Sequence, residues 1–232
     1  MPRLRGDIVD LREVALRDAH SLFTLISSDP KVQQYISPPP PSEQAFAGFI
    51  VWSHEERAAG RAVCFAVVPR GSRRAVGLFQ VRALEPSFFT AEWGFALGSA
   101  FWSTGIFAEA ARLVAAFAFQ TLGVHRLEGR AATANARGNG ALTKIGATSE
   151  AVLKNSLERH GVYHEQLLWT LIREEWDERQ AVARERFSAD EVRRRIRHAL
   201  VTFQAQLVAA APPKSSLRLR RYPFFIGGSR LN

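Results

Sequence analysis

Two stretches decide the fold of this chain: AEWGFALGSAFWSTGIFAEA at residues 91–110 and GVHRLEGRAATANARGNGALTKIGA at residues 123–147. Each opens with an apolar segment typical of a β-strand and continues into a segment whose apolar residues recur at helical spacing. The first helix is predicted to end before Gly123, and Asn135 can cap the second one. The middle of the chain therefore runs strand, helix, strand, helix.

A glycine at the first strand-to-helix turn indicates an anion site. Gly105 lets backbone N–H groups turn toward a ligand, and the N-terminus of the following helix adds about half a positive charge. This pattern favours a cradle for a phosphate or pyrophosphate group. Taken alone it is a weak signal, because many helices begin at a glycine in this way.

The flanking sequence extends this unit into an α+β domain with a mixed sheet. The proline-rich residues 35–41 predict a stiff loop, and a polar loop containing Gly161 is predicted between Leu153 and Tyr163. Asp29-Pro30 is predicted to stop the first helix. The predicted strands cover residues 8–14, 62–68, 75–84, 91–97, 124–133, 147–153 and 163–171, and the predicted helices cover residues 17–28, 42–59, 106–122 and 135–145.

Charge divides the chain into a nearly neutral body and a basic extension. The 232 residues carry a formal net charge of +9, of which residues 180–232 account for +8. We therefore predict a domain at residues 1–176 and a basic C-terminal helix and tail at residues 177–232. Such an extension can contact a ribosome, nucleic acid or an anionic lipid, or it can be a solvated amphipathic helix with a loose end.

The extension contains one long helical pattern with a crowded start. Ser188 and Glu191 have the spacing of a capping box, and Pro212-Pro213 ends the helix before a basic, aromatic tail at residues 217–232. Arginines at 193–195 and 197 oppose the helix dipole, so we expect acids nearby or a partner to hold them. An apolar face, which can pack in a homodimer, consists of Val192, Ile196, Leu200, Phe203 and Leu207.

Composition excludes several classes of protein. Hydrophobic residues make up 47% and charged residues 23%, a mixture that excludes wholesale disorder. A single cysteine, Cys64, excludes an internal disulfide framework and is expected to be a buried apolar residue. Gly161 between His160 and His164 predicts a turn instead of a metal-binding helix. With no signal peptide and no bilayer-length apolar run, the chain is expected to be soluble, cytoplasmic and without a metal.

In the order and content of these pieces, the chain resembles the GNAT superfamily of acyl-CoA-dependent N-acyltransferases. Within it, the chain is most similar to the branch that acetylates protein N-termini, including those of ribosomal proteins. The resemblance runs from about Ile8 to Trp176 and includes LREVALRDAHSLFTLISSDPKV at residues 11–32 and GVYHEQLLWTLIREEW at residues 161–176. It implies a mostly antiparallel sheet flanked by helices, in which two central strands splay apart around the pantetheine of acetyl-CoA.

The resemblance also implies site residues. Glu92 is expected to take the proton of the attacking amine, with an ion pair to a strand neighbour as its structural alternative. Asn135 is expected to face the cofactor arm as well as to cap its helix, and a strand N–H near Phe95 to stabilise the oxyanion. The pantetheine amides are expected on the backbone of Phe95, Ala96 and Leu97, and the pyrophosphate on the loop Trp102, Ser103, Thr104, Gly105, Ile106 and Phe107.

Departures from the family pattern leave alternatives open. Phe107 stands where the family has a small residue, so its ring either points into the protein or blocks the pyrophosphate site. Gly138 replaces a serine that contacts the cofactor, and the helix at residues 136–145 lacks the tyrosine that protonates the leaving thiolate in many relatives. Glu109, which begins the helix after the loop, suits the helix dipole.

The predicted activity is direct acetyl transfer from acetyl-CoA to a primary amine, first of all a protein N-terminus. A small amine, such as an antibiotic, a polyamine or an amino acid, is the second acceptor class. A catalytically degenerate acyl-CoA-binding regulatory domain is the non-enzymatic alternative. The acceptor is expected near residues 35–41, with the loop between Leu153 and Tyr163 closing over it.

Overall fold

The structure is a computed structural model that describes residues 1–183 and 189–209. The strands are β1 (Leu4–Arg5), β2 (Val9–Glu13), β3 (Ala62–Pro69), β4 (Gly77–Ala83), β5 (Thr90–Leu97), β6 (Arg126–Ala132), β7 (Thr148–Arg159) and β8 (Val162–Ile172). The helices are α1 (Ala19–Leu22), α2 (Pro30–Gln33), α3 (Glu43–Ala58), α4 (Ile106–Gln120), α5 (Ala136–Lys144), α6 (Arg173–Ala183) and α7 (Ala189–Ala209). The described strands form one eight-stranded sheet in the order β1-β2-β3-β4-β5-β6-β8-β7, which confirms the predicted mixed α+β fold.

The two central strands of the sheet diverge. Neighbouring strands are antiparallel except β5 and β6, which run parallel and pair only through residues 90–92 and 126–128. Beyond that point β5 stays paired with β4 as far as Leu97, and β6 stays paired with β8 as far as Ala132. A V-shaped gap therefore opens between β5 and β6, as the resemblance implies.

Apolar cores lie on both faces of the sheet. On the face that we call the α4 face, α4 packs on the strands, and the rings of Phe65 and Phe117 meet edge-on with centroids 5.2 Å apart. On the opposite face, which we call the α3 face, α1 and α3 pack on β3 and β4 through Leu22, Phe49 and Leu78. The side chains of β5 and β6 are therefore divided between two different environments.

The first predicted helix, at residues 17–28, is divided into short segments and stops where the sequence predicts, before Asp29-Pro30. A 3-10 turn at Leu16–Asp18 leads into α1, a π-helical segment follows at Phe23–Ser27, and α2 then begins at Pro30. Asp29 caps α2 by accepting a hydrogen bond from the Lys31 N–H at 3.0 Å. The predicted stop is therefore confirmed, and the short helix after it was not predicted; it can begin at Pro30 because proline is tolerated as the first residue of a helix, where its N–H would have no partner.

The polar loop predicted between Leu153 and Tyr163 is largely strand. β7 and β8 form a long hairpin whose turn is His160 and Gly161, with φ angles of 53° and 79°. β7 lies at the sheet edge and most of its side chains face water, so its sequence lacks the apolar alternation of a half-buried strand. The prediction of a loop between Leu153 and Tyr163 was therefore wrong for most of its length, whereas the predicted turn at Gly161 is confirmed. That this segment closes over the acceptor stays a prediction.

The described part of the C-terminal extension packs on the rest of the chain. α6 begins at Arg173 and so crosses the predicted boundary between residues 176 and 177, and the rings of Trp176 and Phe119 lie 5.5 Å apart. α7 buries Ile196 and Phe203 against the α4 face. These two members of the predicted apolar face therefore make contacts within the chain.

Several predictions for the extension fall outside what the structure describes. The side chains of Val192 and Leu207 are not among the described side chains. The capping residue Ser188, the stop at Pro212-Pro213 and the tail at residues 217–232 lie outside the described residues.

Cys64 is buried in β3, as predicted, and burial raises the pKa of its thiol.

In the ranges that the structure describes, no helix combines the length and the hydropathy needed to cross a membrane.

Glu109, in the first turn of α4, ties this helix to the start of the sheet. Its carboxylate accepts hydrogen bonds from the backbone N–H groups of Asp7 at 2.7 Å, Ile8 at 2.9 Å and Val9 at 2.8 Å. A Cβ atom at Gly6 would lie 2.6 Å from this carboxylate, so glycine lets the chain approach it. The acid thus satisfies three donors in addition to suiting the helix dipole.

Glu109→Ala is expected to lower the free energy of unfolding by about 2 kcal/mol, because hydrogen bonds to a charged group contribute about 1.5–3 kcal/mol. Urea unfolding followed by circular dichroism measures the loss, and Gln120→Ala at the exposed end of the same helix is the control. Equal stabilities for the two variants would contradict the role assigned to Glu109.

Candidate active site

Some backbone N–H and C=O groups of β5 face the gap between β5 and β6. The Gly98 N–H donates to the Val76 carbonyl at 3.0 Å, which fixes the alternation of hydrogen bonds along the β4–β5 ladder. The backbone groups of Ala96 therefore face β4, and those of Phe95 and Leu97 face the gap. Of the three residues expected to bond a ligand through their backbone, Ala96 does not fit, because its groups belong to the ladder.

The segment between β5 and α4 is a tight loop with two residues of left-handed conformation. Ser103 has a φ of 61° and Gly105 a φ of 90°. Glycine adopts such a φ without a steric penalty, whereas a serine there costs about 1 kcal/mol. The Thr104 hydroxyl donates to the Phe101 carbonyl at 2.7 Å, which holds the turn from within.

The loop and the first turn of α4 present open backbone donors. Among residues 1–183 and 189–209, no hydrogen-bond acceptor is found for the N–H groups of Gly105, Phe107 and Ala108. The Ile106 N–H has a 3.4 Å contact with the Thr104 hydroxyl oxygen. Because these donors cluster at a helix N-terminus, the arrangement can hold an anion.

The ring of Phe107 is directed into the protein. It stacks on Phe79 with centroids 5.8 Å apart, and it meets Phe95 edge-on at 4.7 Å. Of the two alternatives left open by the sequence, the structure therefore shows the one in which the ring points into the protein and does not block the loop.

Asn135 caps α5, which was one of its two expected roles. Its Oδ1 atom accepts a hydrogen bond from the Gly138 N–H at 2.8 Å. A Cβ atom at position 138 would lie 2.4 Å from the Asn135 Nδ2 atom, so the capping side chain occupies space that a side chain at this position would need. Within the described ranges the Asn135 Nδ2 group makes no hydrogen bond, so it can donate to a second contact.

Two arginines from other elements approach the loop. Arg137 of α5 lies with its guanidinium carbon 4.7 Å from the centroid of the Trp102 ring, and its Nη1 donates to the Ser103 hydroxyl at 3.4 Å. The Nη1 of Arg195, in α7, donates to the Ser103 carbonyl at 3.4 Å. Residues 91–111 contain no lysine or arginine, so these two arginines bring positive charge to a loop without its own.

Polar side chains follow the α3 face across the gap, and we call this set the polar floor. Directly opposed residues in a sheet share a face, so the strand register groups these side chains together. The polar floor consists of Gln80 and Arg82 in β4, Glu92 in β5, Glu128 and Arg130 in β6, and Gln166 and Thr170 in β8.

Glu92 lies in the polar floor at the last paired position before the strands diverge, and it is 0% exposed. Its two carboxylate oxygens accept hydrogen bonds from Arg82, which is opposite to it in β4, and from Arg130 at 3.0 Å. The ion pair with a strand neighbour is therefore present. Burial raises the pKa of Glu92, and the two arginines oppose this effect.

A second group of ion pairs lies beside the Glu92 triad, and it gives Glu128 a hydrogen-bonded partner as well. Arg126 bonds Glu128 at 2.7 Å and Glu150 at 2.6 Å, and Thr170 donates to Glu150 at 2.8 Å. The hydrogen bond from Arg126 lowers the pKa of Glu150. Both carboxylates therefore have cationic partners.

The two histidines singled out by the sequence lie in the β7–β8 hairpin. His160 is in the turn and His164 is in β8, so they do not share a helix. Within the described part of the chain, no three His, Cys, Asp or Glu side chains group together as metal ligands would.

The sequence did not indicate Arg82, Arg130 or Arg137 as site residues, and it indicated Arg195 only as one of the cations at the start of its helix. The opposition of Arg82 and Glu92 was accessible, because both lie in strands predicted at hairpin spacing. The other three reach the site from elements that are distant along the chain, so no local pattern reveals them.

One protein family and three individual proteins resemble this chain. The model of the acetyltransferase (GNAT) domain family matches residues 9–148. The uncharacterized N-acetyltransferase YoaA of Bacillus subtilis is 23% identical over 175 residues, which is 74% of this chain and 97% of that protein. The structure of Mycobacterium smegmatis RimJ in complex with CoA-disulfide has a TM-score of 0.67 and 22% identity, and the match covers 87% of this chain and 92% of that one. A ribosomal-protein-S5-alanine acetyltransferase from Vibrio fischeri has a TM-score of 0.67 and 16% identity, over 76% of this chain and 99% of that one.

Glu92→Leu is expected to lower the free energy of unfolding by roughly 3 kcal/mol, because it leaves two largely buried guanidinium groups without their counter-charge. Adding Arg82→Met and Arg130→Met is expected to recover most of this loss, since apolar side chains of similar volume replace a buried ion triad at little cost. Urea unfolding measures both, with Glu165→Leu at an exposed position of β8 as the control. A triple variant less stable than the single one would overturn this account of the triad.

Proposed function

Because the chain belongs to the acetyltransferase (GNAT) family and is an acetyl-CoA-dependent acyltransferase, we propose that it acetylates the α-amine of a protein N-terminus. The observation that carries this choice of acceptor is the state of Glu92, whose two oxygens already accept hydrogen bonds from Arg82 and Arg130. A site whose carboxylate is engaged in this way favours an amine that loses its proton readily.

The pKa of the acceptor amine determines how much of it is already uncharged, and therefore reactive, before the site removes any proton. An α-amino group has a pKa near 8, so about a tenth of it is uncharged at pH 7. An alkyl amine with a pKa of about 10.4 is uncharged in roughly one molecule in 2,500 at that pH. Only the uncharged amine is a nucleophile, so a peptide N-terminus suits this site better than a polyamine does. The Vibrio fischeri neighbour, whose name gives an alanine of ribosomal protein S5 as its target, supports the same acceptor class.

The gap and the loop are the proposed binding place of acetyl-CoA. Phe95 and Leu97 turn backbone groups into the gap, where the pantetheine amides can add like a further strand. The Leu97 carbonyl already accepts from the Trp102 indole N–H at 2.9 Å, so the groups offered to the ligand are those of Phe95 and the Leu97 N–H. The open N–H groups of Gly105, Phe107 and Ala108 suit the pyrophosphate. The complex of RimJ with CoA-disulfide supports a CoA site in a fold of this kind. Beside the backbone of Phe95 and Leu97, the candidate cofactor residues are Trp102, Ser103, Thr104, Gly105, Ile106, Phe107 and Asn135.

The proposed reaction is a single displacement. Acetyl-CoA supplies a thioester, at whose carbonyl carbon the amine forms a C–N bond while the C–S bond breaks and CoA departs as a thiolate. The Phe95 N–H, which faces the gap, donates to the carbonyl oxygen as negative charge develops there. Glu92 accepts the amine proton when one of its arginines moves aside. A thiolate with a pKa of about 8.5 can leave without an acid, so the missing tyrosine is no obstacle.

We also propose a role for the C-terminal extension beyond the catalytic domain at residues 1–176. The charge of +8 in residues 180–232 supports a contact with a ribosome or nucleic acid, which would bring the enzyme to new protein N-termini. The burial of Ile196 and Phe203 within the chain argues against a homodimer formed through that face of α7.

With acetyl-CoA, a short peptide that has a free N-terminal alanine is expected to react with a kcat/KM about 200-fold above that of spermidine at pH 7, because of its larger uncharged fraction. Thiol release and the mass of the product measure the transfer. The control is the same peptide with its N-terminus blocked and one lysine added. Preference for spermidine or for the lysine peptide would contradict the proposed acceptor, and acetyl-CoA binding without any turnover would favour the degenerate domain.

Glu92→Gln is expected to lower kcat ten- to a hundredfold, the lower range for loss of a general base. Since burial raises the pKa of Glu92, the carboxyl group gains its proton as the pH falls through that raised value, and wild-type kcat falls with it. The variant is expected to lack this acid limb. Glu128→Gln, which removes the neighbouring carboxylate charge, is the control. A variant with unchanged kcat and pH profile but lower thermal stability would assign Glu92 a purely structural role.

A further inference from the structure

Helix α7 is anchored directly behind the loop that receives the phosphates in the proposed function. The rings of Phe203 and Phe101 lie 5.8 Å apart in a T-shaped contact, and Phe101 immediately precedes Trp102 and Ser103. Phe203 is 1% exposed and Ile196 is 4% exposed, so the helix is seated by buried apolar contacts. Its position relative to the loop is therefore set by packing and not by charge alone.

From this position α7 delivers a cation to the loop. The guanidinium of Arg195 lies on one side of Ser103, 3.4 Å from its carbonyl oxygen, while that of Arg137 lies 3.4 Å from its hydroxyl. Both contacts are long for hydrogen bonds and both arginines are exposed, so a stronger acceptor can replace them. An oxygen of a phosphate, which carries charge and accepts two parallel N–H donors from an arginine, is such an acceptor.

The sequence around the loop contains no basic residue, so a cation that binds phosphate there must come from another part of the chain. CoA carries a pyrophosphate and a 3′-phosphate, yet residues 91–111 contain no lysine or arginine. Open backbone donors can bond a pyrophosphate but carry only partial charge. Full positive charge at the loop comes from Arg137 and Arg195, which belong to the helices after β6 and in the C-terminal extension.

We propose that Arg195 of helix α7 binds a phosphate group of CoA, so that the C-terminal extension forms part of the cofactor site. This inference rests on the proposed function, because it takes acetyl-CoA as the ligand of the loop. It assigns the extension a task in cofactor binding that is separate from any contact of its remaining basic residues.

Calorimetric titration of the full chain with acetyl-CoA tests the proposal. Arg195→Gln is expected to weaken binding about tenfold, and Arg195→Lys, which keeps the charge but loses the fork of donors, by less. Arg197→Gln is the matched control, because it removes the same charge from an exposed position two residues further along the same helix. All these side chains are exposed, and thermal unfolding of each variant confirms that it is folded.

Dephospho-CoA distinguishes which phosphate Arg195 holds. If Arg195→Gln weakens acetyl-CoA binding but not dephospho-CoA binding, the arginine holds the 3′-phosphate; if it weakens both, it holds the pyrophosphate. Either result supports the proposal. Equal affinities of Arg195→Gln, Arg197→Gln and the wild type would overturn it while leaving the proposed function intact. A folded wild-type chain that binds no acetyl-CoA would instead overturn the proposed function, and this inference with it.

Discussion

The pairing of β5 with β6 ends at Glu92 and Glu128, and the geometry of the site follows from that early end. Each strand is held by its outer neighbour, so the two can diverge without losing the sheet. At the point of divergence a Cβ atom at Gly129 would lie 2.8 Å from the Trp93 indole nitrogen, so the large ring occupies space that a side chain at 129 would need. The separation leaves backbone groups of Phe95 and Leu97 facing a gap; the Trp102 indole satisfies the Leu97 carbonyl, and a ligand with amide groups can bond the others.

The same divergence explains how charge is arranged. Where β5 and β6 still pair, Glu92 is packed between arginines from β4 and β6, and this triad closes the narrow end of the gap. At the wide end, the loop after β5 has open N–H groups and no basic side chain of its own, and arginines from α5 and α7 reach it. One end of the gap is therefore suited to an amine and its proton, and the other to phosphate.

Much of the fold was accessible from local patterns. The Ser42 side chain caps α3 by accepting from the Ala45 N–H at 3.1 Å, and α4 and α5 follow the changes of period at Gly105 and Asn135. Local rules were less informative where they permit two outcomes. Pro30 ends one helix, as predicted, and also begins the short helix α2, and the exposed strand β7 carries the polar composition of a loop because its backbone is engaged in the sheet while most of its side chains face water.

The sequence by itself determined the order of elements, the glycine turn before α4 and the candidate residues along β5, because these depend on neighbours within a few positions. Only the tertiary structure decided what those residues do. It engaged Glu92 with Arg130 from another strand, directed the ring of Phe107 into the aromatic cluster with Phe79, and brought Arg195 to a loop 92 positions earlier in the chain. Such contacts depend on strand register and helix packing, which join segments whose separation along the chain carries no periodic signal.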